Sequence, residues 1–135
     1  MTLDEIKEEL NELALAVWPV GSRITCTPAP TDTDADFLVY LKKRGTDISS
    51  LGFSLAESGN HYAPEDNIFN SWRRGEVNLI ASSDYQFVRR FLAATEIAKR
   101  FNLLEKSDRV LLFQAVLYGN CNQTKEMDLL GLNLS

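Results

Sequence analysis

The stretch "VGSRITCTPAPTDTDADF", residues 20–37, places side chains that could bind phosphate and metal on either side of a proline-containing loop. Asp34 and Asp36 are two positions apart, so on a strand they lie on the same face. Two neighbouring carboxylates repel each other, and a divalent cation relieves that repulsion. Oxygen ligands on a fixed strand suit Mg²⁺, which takes its other ligands from water and substrate phosphates. The pair therefore predicts a magnesium site.

The pair Gly21 and Ser22 indicates a phosphate site. Glycine lets backbone N–H groups approach an anion closely, and a serine at the start of a helix donates its hydroxyl to the same anion. Arg23 follows directly, and of the neighbouring Arg73 and Arg74 we take Arg74 as a further phosphate ligand, because a guanidinium matches phosphate geometry. A phosphate site beside a magnesium site predicts a nucleoside triphosphate as the ligand.

A third carboxylate would complete a two-metal site, in which the ions lie roughly 4 Å apart. Glu76 is the candidate for this ligand, because it opens a strand that could lie beside the strand of Asp36. Asn78 is two residues further along and on the same face, and it could occupy the ligand position instead. The sequence leaves these two alternatives open, and an asparagine there would weaken the metal site.

The whole motif resembles the signature of the polymerase-beta-like nucleotidyltransferase superfamily. It falls on Val20, Gly21, Ser22 and, after eleven residues, on Asp34, Ala35, Asp36, Phe37. The resemblance implies that the Gly-Ser pair holds a triphosphate, that the two aspartates hold Mg²⁺, and that a later strand supplies a third acid. The segment "DRVLLFQAVLYG" looks like a region of small nucleotidyltransferase-like proteins encoded by tailed bacteriophages. Outside residues 20–37 the resemblance rests on the order of elements.

Two main functions follow. The first is a Mg²⁺-dependent nucleotidyltransferase, with Asp34, Asp36 and Glu76 as catalytic and metal-binding residues, that transfers a nucleoside monophosphate from an NTP to a hydroxyl of RNA, a protein or a small molecule. The second is a catalytically inactive protein of the same fold that binds a nucleotide or a protein partner, for example a phage protein acting on a host factor. An antitoxin-like protein that dimerises through its C-terminal helices is a third interpretation, so both a monomer and a homodimer stay open.

Composition excludes other classes. The chain has 135 residues, 44% of them hydrophobic, which predicts a single domain over residues 1–135. No apolar run approaches the roughly 20 residues of a membrane helix, and the acidic start "MTLDEIKEEL" is unlike a secretory signal. We therefore expect a cytoplasmic protein without a membrane partner, in the host cytoplasm if it is phage-encoded. The net charge of −5 disfavours a large nucleic-acid acceptor, and two cysteines with one histidine are too few for a structural zinc site.

Periodicity predicts the elements that position the motif. A capping box at Thr2 predicts the start of a first helix, and the apolar spacing extends this helix to about residue 16, before Pro19 ends it. The strand that the family commonly has before its Gly-Ser turn would therefore be degenerate. "DADFLVYLK" predicts a central strand covered by helices on one or both sides. "DISSLGFSLAESG" predicts a second, short helix, and "NIFNSWRRGEVNLIAS" a hairpin with its turn near Gly75.

Two helices are expected after the hairpin. Ser83 and Gln86 cap the first, whose core stripe runs from Phe87 to Phe101, and Ser107 opens the second, which ends at Gly119. The sheet core with its N-terminal helix then occupies residues 1–85, the C-terminal helices residues 86–119 and a tail residues 120–135. The predicted fold class is α+β, a small nucleotidyltransferase-like mixed sheet of three to four strands flanked by helices.

Overall fold

The fold is a mixed sheet with helices on both faces. The computed structural model describes residues 2–30, 34–56 and 68–118, so Gly119 and the tail after it lie outside the described residues. The helices are α1 (Leu3–Glu9), α2 (Ser22–Thr25), α3 (Tyr85–Phe101) and α4 (Lys106–Tyr118). The strands are β1 (Ala14–Val20), β2 (Ala35–Leu41), β3 (Ser54–Leu55), β4 (Asn70–Arg74) and β5 (Val77–Ser82).

The described strands form one sheet in the order β1-β2-β5-β4-β3. β2 and β5 run parallel, and the other neighbouring pairs are antiparallel. The predicted α+β class with C-terminal helices is confirmed, with five strands in the sheet. In the described ranges we find no helix with the length and apolar character needed to cross a membrane.

β2 is an interior strand, between β1 and β5, and is buried on both faces. Phe37 and Val39 belong to the core that α1 covers with Ile6 and Leu10. Leu38, between them, points into the core under α3 and α4. Both faces of "FLVYL" are therefore apolar because both faces are covered, and the prediction of a central strand is confirmed.

The first helix is shorter than the sequence predicts. It ends at Glu9, and the following segment forms the seven-residue edge strand β1. Leu13 and Val17 are four residues apart, which suits a helix but also a two-residue period, and both pack in the α1 core. Pairing with β2 decides between the two, and Pro19 is tolerated because an edge strand does not need every N–H. The strand expected to be degenerate is thus fully formed.

The prediction of a second helix is wrong over the residues that the structure describes. Asp47 does accept the backbone N–H of Ser49, at 2.8 Å, but the helix that follows is a single 3-10 turn, Ser49–Leu51. Gly52 ends it in the left-handed conformation, with φ +88°. The chain then enters β3, which pairs with β4, and the rest of the prediction beyond Ala56 lies outside the described residues.

The C-terminal half largely follows its predicted pattern. β4 and β5 form the hairpin with its turn at Gly75. α3 begins one residue after the predicted start, because Asp84 rather than Ser83 accepts the Phe87 N–H, at 2.9 Å. The helix C-terminus departs from the prediction as well, since Phe101 is 74% exposed instead of belonging to the core stripe.

The buried stripe of α3 joins α4 to the sheet. Phe91 is 1% exposed, and its ring centroid lies 4.8 Å from that of Phe113 on α4 and 5.8 Å from that of Phe87. Leu117, one turn further along α4, is buried in the same core. This aromatic cluster fixes the two C-terminal helices over the sheet face that also carries Asp36.

We predict that Phe91→Ala lowers the free energy of unfolding by about 3–5 kcal/mol, because it leaves a cavity among packed rings. The matched control is Phe101→Ala on the same helix, which should change it by no more than about 0.5 kcal/mol because its ring is already in solvent. Urea unfolding followed by circular dichroism measures both values. Equal losses for the two variants would show that this aromatic cluster does not hold the helices in place.

Candidate functional site

The Gly-Ser pair forms a sharp turn between β1 and α2. Gly21 has φ +83° and ψ −174°, a conformation that essentially only glycine adopts without strain. Its carbonyl oxygen accepts the N–H groups of Ile24 and Thr25, each at 3.0 Å, which begins the helix. α2 has no side-chain cap, so the N–H groups of Ser22 and Arg23 occupy its uncapped first turn.

Gly21 packs directly against the carboxylate of Asp36. A Cβ built on Gly21 would lie 2.9 Å from both Cβ and Cγ of Asp36, and it would overlap the carboxylate oxygen Oδ2. No larger residue fits here without moving β2. The two halves of the sequence motif, separated by the loop between α2 and β2, are therefore in contact.

Asp36 lies in a row of side chains that crosses the sheet. The register pairs Asp36 with Val20 on β1 and with Asn78 on β5, and pairs Asn78 with Arg73 on β4. Residues paired in this way point to the same face, so the row of four faces the α3 and α4 side. Asn78 Nδ2 donates to Asp36 Oδ1 at 3.2 Å.

The surroundings of Asp36 disfavour its charged form. Burial raises the pKa of Asp36 above its ordinary value, while the hydrogen bond from Asn78 opposes the rise. The negative charge of Asp34 raises this pKa further, and the positive charges of Arg73 and Arg23 lower it. A carboxylate that is desolvated and placed near a second carboxylate is the kind of group that a bound cation stabilises.

Asp34 is already paired with an arginine. Arg73 Nη1 donates to Asp34 Oδ2 at 2.7 Å, and the two side chains are 50% and 38% exposed. Arg74, the arginine chosen from the sequence, faces the other side of the sheet. There it binds both carboxylate oxygens of Glu9, at 2.8 and 3.0 Å, and its guanidinium lies 4.3 Å from the centre of the Phe53 ring. We therefore replace Arg74 with Arg73 in the candidate site.

The sequence itself indicates that Arg73, rather than Arg74, lies on the face of the site. The two residues of the turn, Gly75 and Glu76, place Arg74 opposite Val77 and hence Arg73 opposite Asn78. Since paired residues share a face, the arginine on the face of Asn78 has to be Arg73. Counting back from the turn would have identified it.

Glu76 and Asn78 have different positions relative to the aspartates. Glu76 lies in the turn before β5 with an exposed side chain, and its backbone carbonyl accepts the Ala35 N–H at 2.8 Å. Asn78 lies inside the strand and is bonded to Asp36. In the part of the chain that the structure describes, no group of three or more His, Cys, Asp or Glu side chains could hold a metal ion. Asp34, Asp36 and Asn78 each carry a side-chain oxygen, which is the kind of ligand that Mg²⁺ prefers.

Comparisons with known proteins add no relative. A scan against protein-family models, a search of curated proteins and a search of solved structures each find no match to this chain. The functional interpretation therefore rests on the residues of the site.

We predict that Gly21→Ala is more destabilising than Gly45→Ala. Both glycines have positive φ, +83° and +72°, but a Cβ on Gly45 meets nothing within 4 Å. Gly45→Ala is the control and should lose about 1–2 kcal/mol of unfolding free energy from backbone strain alone. Gly21→Ala should lose about 1–3 kcal/mol more, because the new methyl group displaces Asp36. Urea denaturation measures the difference, and equal losses would contradict the close packing.

Asp36 also predicts a pH dependence of stability. Because its pKa is raised on folding, the native state holds this proton to higher pH than the unfolded chain, whose aspartates titrate at about 3.9. The free energy of unfolding therefore falls as pH rises from there through the raised value. Asp36→Asn cannot ionise, so we expect it to be more stable than the wild type at neutral pH. The difference in unfolding free energy between Asp36→Asn and the wild type should shrink as the pH falls to about 3.9. If Asp36→Asn is less stable than the wild type at neutral pH, the prediction is wrong.

Proposed function

We propose that this protein binds a nucleoside triphosphate with Mg²⁺ in a cleft lined by Gly21, Ser22, Asp34 and Asp36, and transfers the nucleotidyl group to a hydroxyl acceptor. The observation that supports this most directly is the packing of the Gly21 backbone against the Asp36 carboxylate. A phosphate-binding turn and a metal-binding carboxylate must lie within one ligand's reach to act on the same triphosphate. Here they are in contact.

Each residue of the cleft has a chemical role in this proposal. Asp34 and Asp36 hold Mg²⁺, and Asn78 fixes the orientation of Asp36 through its hydrogen bond. When bound, the cation neutralises phosphate charge and polarises the phosphoryl oxygens. The N–H groups of Ser22 and Arg23 and the Ser22 hydroxyl hold the outer phosphates.

The reaction is an in-line displacement at the α-phosphorus. The acceptor oxygen forms a bond to phosphorus, the bond to the oxygen that bridges to the β-phosphate breaks, and pyrophosphate leaves. The hydroxyl proton goes to a carboxylate, Asp36 or Glu76. Most of the catalysis in such a site comes from positioning and from stabilising charge.

A protein that binds the nucleotide without transferring it is the second candidate function. Asn78 supports it, because an amide stands beside Asp36 where a third carboxylate would complete a two-metal site. The acceptor in the first case is an RNA end, a protein hydroxyl or a small molecule. In both cases we place the activity in the cytoplasm, that of the host if the chain is phage-encoded, where NTP and Mg²⁺ are present.

We predict that a non-hydrolysable nucleoside triphosphate binds the wild type in Mg²⁺ and not in EDTA. Asp36→Asn should weaken this binding about tenfold or more, because the loss of one charged ligand costs about 1.5–3 kcal/mol. Asp108→Asn on α4, an exposed position with the same change of charge, should bind like the wild type. Calorimetric titration measures all three proteins.

The outcome separates the two functions. Binding followed by incorporation of label from an α-³²P triphosphate into an acceptor supports the transferase, and binding without incorporation supports the second candidate. If a folded wild-type protein binds none of the four common nucleotides, both are wrong.

A further inference from the structure

Arg73 reaches an aspartate that lies two strands away. It is on β4, whereas Asp34 immediately precedes β2, and β5 lies between these strands. Neighbouring strands are about 4.8 Å apart, so the side chains of Arg73 and Asp34 together span about 10 Å across β5. Its guanidinium therefore lies beside Asp34 Oδ2, close enough to Asp36 for its charge to act on that carboxylate as well.

The contact between Arg73 and Asp34 is open to solvent. The side chains are half and about two-fifths exposed, at 50% and 38%, in contrast to the neighbouring Asp36, which is desolvated. Exposed ion pairs contribute little to stability, because water competes for both partners and two long side chains lose freedom. This pair can therefore open without disturbing the fold.

The charge of Arg73 acts on both aspartates. It pairs with Asp34 directly, and together with Arg23 it opposes the effect of burial on the pKa of Asp36. A positive charge thus already stands at the place where a metal ion would bind. A cation that takes Asp34 Oδ2 as a ligand has to displace it.

We propose that Arg73 is an exchangeable counter-ion: it pairs with Asp34 while no metal is bound, is displaced by Mg²⁺, and then binds a phosphate of the incoming triphosphate. This inference rests on the proposed function. Displacement leaves the guanidinium near the two aspartates, where its planar fork suits two phosphate oxygens. Arg73 then weakens the binding of the metal alone and strengthens the binding of the metal together with the nucleotide.

The first test measures a cation alone, with Mn²⁺ as the probe and electron paramagnetic resonance to detect the free ion. Arg73→Ala should bind Mn²⁺ up to about fivefold more tightly than the wild type, the factor that corresponds to an exposed pair of about 1 kcal/mol. Arg100→Ala removes an equally charged side chain from an exposed ion pair with Glu96 and should leave the affinity unchanged. In an Asp34→Ala background, Arg73→Ala should give a smaller gain, because only the effect of the Arg73 charge on Asp36 remains.

The second test adds a non-hydrolysable triphosphate at saturating Mn²⁺. Arg73→Ala should now bind about tenfold more weakly than the wild type, because a charged hydrogen-bond donor to phosphate is lost. Opposite changes in the two titrations support the exchange. If the wild type binds nucleotide in an Asp36-dependent way and Arg73→Ala changes either affinity no more than Arg100→Ala does, the exchange is wrong and the proposed function stands. If no variant binds Mn²⁺ or nucleotide, both are wrong.

Discussion

The burial of β2 on both faces is the constraint on which the site depends. From Phe37 onwards the strand has apolar cores above and below, so charged groups can stand only at its beginning. β1 ends and β5 starts at this same edge, because β1 is antiparallel and β5 parallel to β2. Three chain segments that are distant in sequence therefore bring their polar residues to one place. The sheet topology, rather than any local preference, assembles the cleft.

Within the cleft, the close approach of Gly21 to Asp36 has an energetic cost. The glycine holds a backbone conformation that other residues avoid, and the aspartate is desolvated against it, with the amide of Asn78 as its hydrogen-bond donor among the residues that the structure describes. Neither feature improves packing, since a buried carboxylate is worse for stability than an apolar side chain of similar size. Proteins keep arrangements of this kind where a ligand repays the cost. This makes the pair a stronger indicator of function than either residue alone.

Much of the fold could be predicted from local pattern, and two of the wrong or open predictions depend on long-range pairing of strands. The central strand, the hairpin and α3 have strong periodic signals, and the structure confirms them. The region of Leu13 and Val17 satisfies both helical and strand periods, so only its long-range pairing with β2 decides it. The choice of Arg73 over Arg74 follows from counting across a two-residue turn. Whether Glu76 or Asn78 stands beside Asp36 depends instead on the register of β5 against β2, which no local signal fixes.

The presence of Asn78 changes the charge balance of the cleft. Asp34 and Asp36 carry two negative charges, and Arg73 and Arg23 supply two positive charges that act on them. A carboxylate in place of Asn78 would leave an excess of negative charge in a partly desolvated site. This charge would destabilise the folded state unless a cation were bound. With an amide, the site is balanced without metal. A cation that enters alone must therefore displace a positive charge, whereas a cation that enters with a triphosphate brings phosphate oxygens to which the displaced arginine can bind.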